Sequence, residues 1–396
     1  MSKVYDEWTP LQKVLIGKSF DVSKTEDEYK NKILIEYDNT VQNRNRKYAD
    51  DTIDYSNHRR DLRENLPLYK DTLKKIHDET NEDLELLAEL CKQYGAEVVR
   101  PDVIYDIESM LCHPMQCRDT LGKIGNTIFE VFTGSKERAL ENLNHRRVML
   151  DEFKDGARYI AMPQMMYEHK PEKVTTDDVD EVNRHCNEEL ESYDNQGCII
   201  GDTAAFYKCG KHIFHTFANP QDRLGMKEHS QLCITNNGLE WYKREFPKHE
   251  FVQMQAYGHV DGKIAILRPG LVLTWKKEYV PKIMVDNNWD IIIMDPSAEY
   301  DGKTIKSLCE ERGVKNYPMP ELLGVAQETR FDCNVLSLDE NTIITSGYDK
   351  NLADKLKKYN IEMIPWVNRW NFLWSGGAHC CSVDLSRTGE LENYFK

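Results

Sequence analysis

No run in this chain approaches the roughly 18 consecutive apolar residues that a membrane-spanning helix needs, and the acidic opening Met1-Ser2-Lys3-Val4-Tyr5-Asp6-Glu7 lacks the apolar core of an export signal. Positive charge is also short. The 52 Lys and Arg stand against 67 Asp and Glu, and a formal charge of −15 repels phosphate backbones and anionic lipid alike. Neither nucleic acid nor a membrane surface is an expected partner. No Gly/Ser/Pro-rich stretch divides the 396 residues, so one domain over 1–396 is the expected organisation, and 40% apolar residues suffice for a large core. The 11 cysteines are odd in number and scattered, which excludes a compact disulfide framework and points to free thiols in a reducing compartment, the cytoplasm.

What is there alternates between helix and strand. Val14–Gly17 reads as a short strand, and the charged stretch from about 21 to 75, with little apolar periodicity, as an elaborated loop. Leu84, Leu86, Leu87, Leu90 and Cys91 recur at helical spacing between Thr80 and Tyr94, and Gly95 supplies a stop before a strand over Glu97–Pro101. Similar units follow: a strand over Lys123–Val131 before a helix over Ser135–Phe153, a hairpin around Lys211, and a helix over Lys227–Phe246. Further hairpins turn at Arg268-Pro269-Gly270 and Asp339-Glu340-Asn341, the latter before a helix over Asn351–Tyr359 and a strand over Met363–Trp366. The pattern is an α/β fold of about five repeated ββαβ units.

Four segments carry chemistry-bearing residues. In Ser375-Gly376-Gly377-Ala378-His379-Cys380-Cys381, paired glycines precede a strand expected to carry a cysteine and let a ligand approach the backbone, although a buried cysteine taken alone is by default an inert small hydrophobe. In Gly258-His259-Val260-Asp261-Gly262, the H-x-D spacing puts both polar side chains on one face of an extended strand, an arrangement equally common on plain surfaces; no third metal ligand is suggested by spacing. Asp202 lies between two apolar segments, and a carboxylate buried there needs a partner. Asp119 follows Arg118 at the start of another strand, where an exposed turn is an equal alternative. His212 with His215, and Cys112 and Cys117 around His113, have no matching second half for a metal site. Met162, Met165 and Met166 and the aromatic run Trp366 to Trp374 read as core or pocket wall.

Taken together and in order, these blocks resemble the amidinotransferase family of the pentein superfamily. The resemblance runs nearly end to end: Glu7-Trp8-Thr9-Pro10-Leu11, Arg118-Asp119, Asp202-Thr203-Ala204-Ala205, His259-Val260-Asp261, Arg268-Pro269-Gly270, Asn334-Val335-Leu336, and Gly376-Gly377-Ala378-His379-Cys380 with Asp384 and Arg387. It implies a five-bladed α/β propeller of ββαβ blades and an enzyme that moves an amidino group from a guanidine donor such as arginine to an acceptor amine, without metal or organic cofactor. By the same resemblance Cys380 falls on the nucleophile, His259 on the acid/base, Asp202 on its carboxylate partner, and Asp119 and Asp261 on acids that grip the guanidinium. A homodimer is the assembly that the resemblance suggests first.

The match departs from the family in places. Where arginine-using relatives bring an arginine to the donor carboxylate, this chain has Trp275-Lys276-Lys277-Glu278, and a serine pair that helps hold the donor is replaced by Gln327-Glu328 ahead of Arg330. Lys276, Lys277 or Arg330 then holds that carboxylate, or the donor is not plain arginine. Ala256, an amide residue in glycine-specific members, suggests an acceptor larger than glycine, and Glu278 and Glu328 suit a cationic acceptor or form ordinary surface salt bridges. The competing functions are a hydrolase that resolves the same covalent intermediate with water and a non-catalytic binding protein of the same fold.

Overall fold

The computed structural model describes residues 2–19, 55–102, 114–133, 138, 141–163, 197–216, 233–256, 258–294, 303, 305–314, 333–374 and 376–396. Arg330, Gln327, Glu328, Cys112, His113, Met165, Met166 and Ser375 lie outside them, as does the charged stretch up to residue 54.

Five three-stranded sheets repeat one plan. In four of them a hairpin comes first, its second strand forms the middle of the sheet, and after a helix the chain returns with a third strand parallel to that middle strand. Their strands are Leu121–Ile124, Thr127–Glu130 and Arg158–Ala161; Phe206–Cys209, His212–His215 and Glu250–Gln253; Ile264–Arg268, Leu271–Thr274 and Asp290–Ile293; and Leu336–Asp339, Thr342–Ser346 and Glu362–Trp366. The remaining sheet takes its outer strand from the far end of the chain. Leu11–Ile16 pairs antiparallel with Ser382–Arg387 on one side and parallel with Glu97–Val99 on the other.

Burial explains the strand compositions. Ile264–Arg268 and Leu271–Thr274 are covered almost throughout and read IAILR and LVLT, the near-continuous apolar runs of strands packed on both faces. Each helix closes one side: Leu84, Leu87, Ala88 and Cys91 pack against Val14 and Ile16, and Leu239, Tyr242 and Phe246 against Phe129, Phe206 and Ile213. Among the described residues no helix is long and apolar enough to cross a membrane.

Three local expectations change. The stretch from 55 to 75, read as loop, belongs to a helix that runs over Tyr55–Gln93. At the end of that stretch, side chains pair one turn apart along the helix, Lys74 with Asp78 and, at 3.9 Å, Lys75 with Glu79. The helix ends as expected, with Gly95 at φ 91° donating to the Lys92 carbonyl at 2.9 Å and Ala96 to that of Cys91 at 3.0 Å. The single strand over Lys123–Val131 is a hairpin turning at Gly125, whose φ of 55° an L side chain adopts reluctantly. Of the helix expected over Ser135–Phe153, the described residues form a 3-10 turn at Glu141–His145 and a regular helix over Arg146–Lys154.

Candidate active site

Every sheet contributes one polar or nucleophilic side chain from the same place, two to four residues ahead of its outer hairpin strand. Asp119 ends a 3-10 turn before Leu121–Ile124, Asp202 caps the turn before Phe206–Cys209, and Asp261 lies in the turn before Ile264–Arg268. Asn334 precedes Leu336–Asp339, and Cys380 precedes Ser382–Arg387. All five are buried, none more than 5% exposed. Because the strands that follow are deep core, the turns that launch them are carried inward with their side chains.

Two geometric expectations fail in instructive ways. His259 and Asp261 are not on one face of a strand: Val260–Gly262 is a 3-10 turn closed by Lys263 donating to the Val260 carbonyl at 2.8 Å. The turn sends the two side chains to different partners. Cys380 lies in the turn before its strand rather than on it, beside Gly376 at φ 139°.

His259 Nε2 lies 3.0 Å from Asp202 Oδ2, while Asp202 Oδ1 accepts from the Ala204 amide at 2.9 Å, so the carboxylate is fixed at both oxygens. Nδ1 of His259 is left on the side of Asp119, 4.0 Å from its Oδ1. Burial lowers the proton affinity of the imidazole, but Asp202, Cys233 and Asp119 outweigh it and hold the group well above its ordinary range. Burial pushes Asp202 itself up to about 6, with His259 pulling against the rise.

Cys380 Sγ donates to Asp261 Oδ2 at 3.3 Å and receives the Asn334 side-chain amide at 2.9 Å. Burial, and then the charge of Asp261, push the thiol far up, with His259 acting in the other direction. Asp261 is held low against its burial by a hydrogen bond from His379, whose Nδ1 lies 2.8 Å away. The other nitrogen of His379 faces Glu7 Oε2 at 3.3 Å. Glu7 in turn pairs with Lys208 and, at 3.5 Å, with Arg118, which also reaches Asp384 at 3.3 Å.

Asp119 Oδ2 is paired with Arg138 Nη1 at 2.6 Å, and Arg138 is braced by Glu141. The Oδ1 atoms of Asp119 and Asp261 are both buried and have no hydrogen-bond partner among the described residues. A buried acceptor left unpaired costs about 1–3 kcal/mol, so two such oxygens beside a thiol and an imidazole form a place prepared for N–H donors.

Sequence spacing suggested no third metal ligand near His259, yet the fold brings donors from other sheets. The ligand atoms of Asp119, His259 and Cys380, and those of Asp202, Cys233 and His259, lie within 4.8 Å of one another. The remaining candidates lie elsewhere. Ala256 is fully buried in the apolar cluster with Trp8, Tyr207 and Met254, and Glu278 is exposed on the turn Lys277–Tyr279. Lys276 lies 5.6 Å from the centre of the Tyr279 ring. His212 lies 3.4 Å from Glu250 and edge-on to the Phe395 ring, and the nine described cysteines are all buried and form no disulfide with one another. Glu7, His379 and Asn334, which stand in the blocks that carry the resemblance without a role of their own, join the site, and so does Arg138, which lies in no block and is revealed only by its buried ion pair with Asp119.

No protein-family model matches the chain. It is 23% identical over 404 residues to inosamine-phosphate amidinotransferase 1 of Streptomyces glaucescens, covering 99% of this chain and 98% of that one. It is 24% identical over 410 residues to the mitochondrial glycine amidinotransferase of Gallus gallus, covering 99% and 84%. The solved structure of the inosamine-phosphate amidinotransferase of Streptomyces griseus superposes with a TM-score of 0.64 over 100% of this chain and 99% of that one, at 18% identity, which shows a shared fold. The chain is thus homologous, end to end, with amidinotransferases.

Proposed function

We propose that this chain is an amidinotransferase in which Cys380 carries an amidino group from a guanidine donor, L-arginine in the first instance, to an acceptor amine larger than glycine. In this reading residues 1–396 are one domain, and the five sheets are the blades of a pentein-type propeller whose inward turns make the active site. The observation that carries the reading is the pair of unpartnered buried oxygens, Oδ1 of Asp119 and Oδ1 of Asp261, beside Cys380 and His259. A guanidinium is planar, cationic and all donor, and it satisfies two converging carboxylates as no neutral or anionic group can.

The resting thiol is neutral, because burial and the acids around it disfavour a second negative charge. A guanidinium on Asp119 and Asp261 reverses that balance by adding a positive charge next to sulfur, so the thiol proton passes to solvent as the donor binds and returns to sulfur when the product guanidine leaves. The thiolate attacks the guanidinium carbon. The C–N bond to the leaving amine breaks as His259, kept protonated by Asp202, gives its proton to the departing nitrogen. The acceptor amine then attacks the S-amidino carbon, His259 takes its proton, and the C–S bond breaks to restore the thiolate. The acceptor's size rests on the resemblance alone, since Ala256 is fully buried in the apolar cluster with Trp8 and Tyr207. With no arginine at the Lys276–Glu278 stretch, the donor carboxylate falls to Lys276, Lys277 or Arg330.

Mass spectrometry of the protein after incubation with arginine and no acceptor tests the proposal, with Cys380→Ala beside it and ornithine and citrulline assayed in solution. One amidino group gained on Cys380 with ornithine released is the expected result. Steady citrulline production identifies a hydrolase, and an unmodified Cys380 without ornithine rejects arginine as donor.

A further inference from the structure

We infer that Asn334 is a catalytic residue of the same site, its side-chain amide donating to the Cys380 sulfur so that the attacking thiolate, more than the resting thiol, is held. The inference rests on the reading of Cys380 as nucleophile. It begins from the repeat: four sheets place Asp119, Asp202, Asp261 and Cys380 in the turns ahead of their outer strands, and Asn334 is what the fifth sheet places there.

The orientation of the amide is dictated by the backbone. Asn334 is 1% exposed, and its Oδ1 receives two main-chain N–H groups, that of Cys380 at 2.8 Å and that of Gly377 at 3.1 Å. Two donors pointing at one atom require it to be the oxygen, so the nitrogen must be the atom 2.9 Å from Sγ. An amide nitrogen only donates, and a neutral thiol is a weak acceptor while a thiolate is a strong one. The contact therefore gains strength as the proton leaves, against the pull of burial and of Asp261. Sulfur is thus bracketed, with its own proton directed to Asp261 at 3.3 Å and the Asn334 N–H directed to it from another side. Gly377 is what allows the approach, since a Cβ there would lie 2.6 Å from the Asn334 carbonyl oxygen and 2.8 Å from its Cβ.

Asn334 also holds the loop, and a purely structural role is the alternative to exclude. Asn334→Asp does this, because it keeps an oxygen for the two backbone N–H groups and replaces the donor facing sulfur with a second oxygen. Asn334→Ala, which removes donor and acceptor together, is the companion variant. Cys380 alkylation by iodoacetamide is followed against pH in the whole protein, by mass spectrometry of the Cys380 peptide, alongside thermal unfolding and ornithine release from arginine. The expected result for Asn334→Asp is wild-type unfolding with Cys380 alkylation slowed about ten- to a hundred-fold at neutral pH and recovering at alkaline pH. Asn334→Ala is slowed less, since it adds no charge. Alkylation profiles that superimpose on the wild type overturn the inference. If the profiles shift while the wild type releases no ornithine, the role of Asn334 at sulfur stands and the choice of arginine as donor fails.

Discussion

Replacing Asp202 by asparagine tests the acid half of the mechanism most sharply, because one atom changes and its surroundings fix which one. Asp202 Oδ1 accepts from the Ala204 amide at 2.9 Å, so in the Asp202→Asn variant the oxygen stays on that donor and the new NH2 group faces His259 Nε2, which lies 3.0 Å from the carboxylate in the wild type. A protonated imidazole then meets donor against donor. It loses a hydrogen bond to a charged partner, worth about 1.5–3 kcal/mol in such pairs, while a neutral imidazole accepts from the new amide and loses little. At a factor of ten per 1.36 kcal/mol, S-amidino formation at neutral pH falls about ten- to a hundred-fold.

The sign of the pH effect follows from the direction of the shift. Asp202 raises the proton affinity of His259, so the wild type stays protonated well above the ordinary imidazole range. In the variant the proton leaves at lower pH, and the alkaline limb of the rate profile moves toward acid while part of the rate returns at low pH. Rapid-quench mass spectrometry of Cys380 with arginine, run across that range, reads the limb directly. An alkaline limb in the same place, or a uniform loss at every pH, would refute His259 as the acid held by Asp202.

Glu7→Gln breaks a buried network in which Glu7 faces Lys208, Arg118 and His379, and it should cost about 3–5 kcal/mol in denaturant unfolding because the cations remain buried. Burial alone would raise Glu7, but Lys208 and Arg118 hold it well below 4.5, so its contribution is present above that value and is lost as pH falls further. The difference between wild type and variant should therefore shrink under acid. An undiminished difference at low pH refutes the pairing. Methylguanidinium is a cation with N–H on every side, whereas methylurea of the same shape is neutral and turns a carbonyl oxygen to the carboxylates. Protection of Cys380 from iodoacetamide should need about ten- to a hundred-fold more of the urea, the worth of one charged hydrogen bond, and equal protection would show that Asp119 and Asp261 do not grip a cation.

What the sequence made legible was local. The turns at Arg268-Pro269-Gly270 and Asp339-Glu340-Asn341 form as read, since two tight turns between apolar runs leave the backbone few alternatives. His259 lies near Cys380 and within hydrogen-bond distance of Asp202, residues that stand far apart in the chain. What stayed hidden depends on pairing between sheets. Nothing near Arg138 in the chain says that it will share Asp119, and Asn334 looks like any polar residue before Val335-Leu336 until Gly377 and Cys380 arrive from the last segment. Glu7 opens the first block of the resemblance, but only the fold shows that Lys208 and Arg118 enclose it. The helix from Tyr55 was missed because residues 55–75 are rich in charge and carry little apolar periodicity, the signal by which helices are recognised.

The placement of the nucleophile gives the pairing of the chain's two ends a functional meaning. Arg118 Nε donates to the carbonyls of His379 at 2.8 Å and Ser382 at 2.9 Å, gripping the turn on both sides of Cys380, while its other nitrogens reach Glu7 and Asp384. Arg387, at the end of the same strand, donates to the carbonyl of Ser337 at 2.7 Å, and His379 N to that of Asn334 at 3.4 Å. The thiol acquires these neighbours only when Ser382–Arg387 has joined Leu11–Ile16, the longest sequence separation that any sheet bridges among the described residues. Contacts of that kind bear the greatest loop-closure cost. The charges buried around Cys380 therefore hold the last strand in the first sheet, while one oxygen each on Asp119 and Asp261 stays without a hydrogen-bond partner among the described residues, where the proposed function puts the guanidinium.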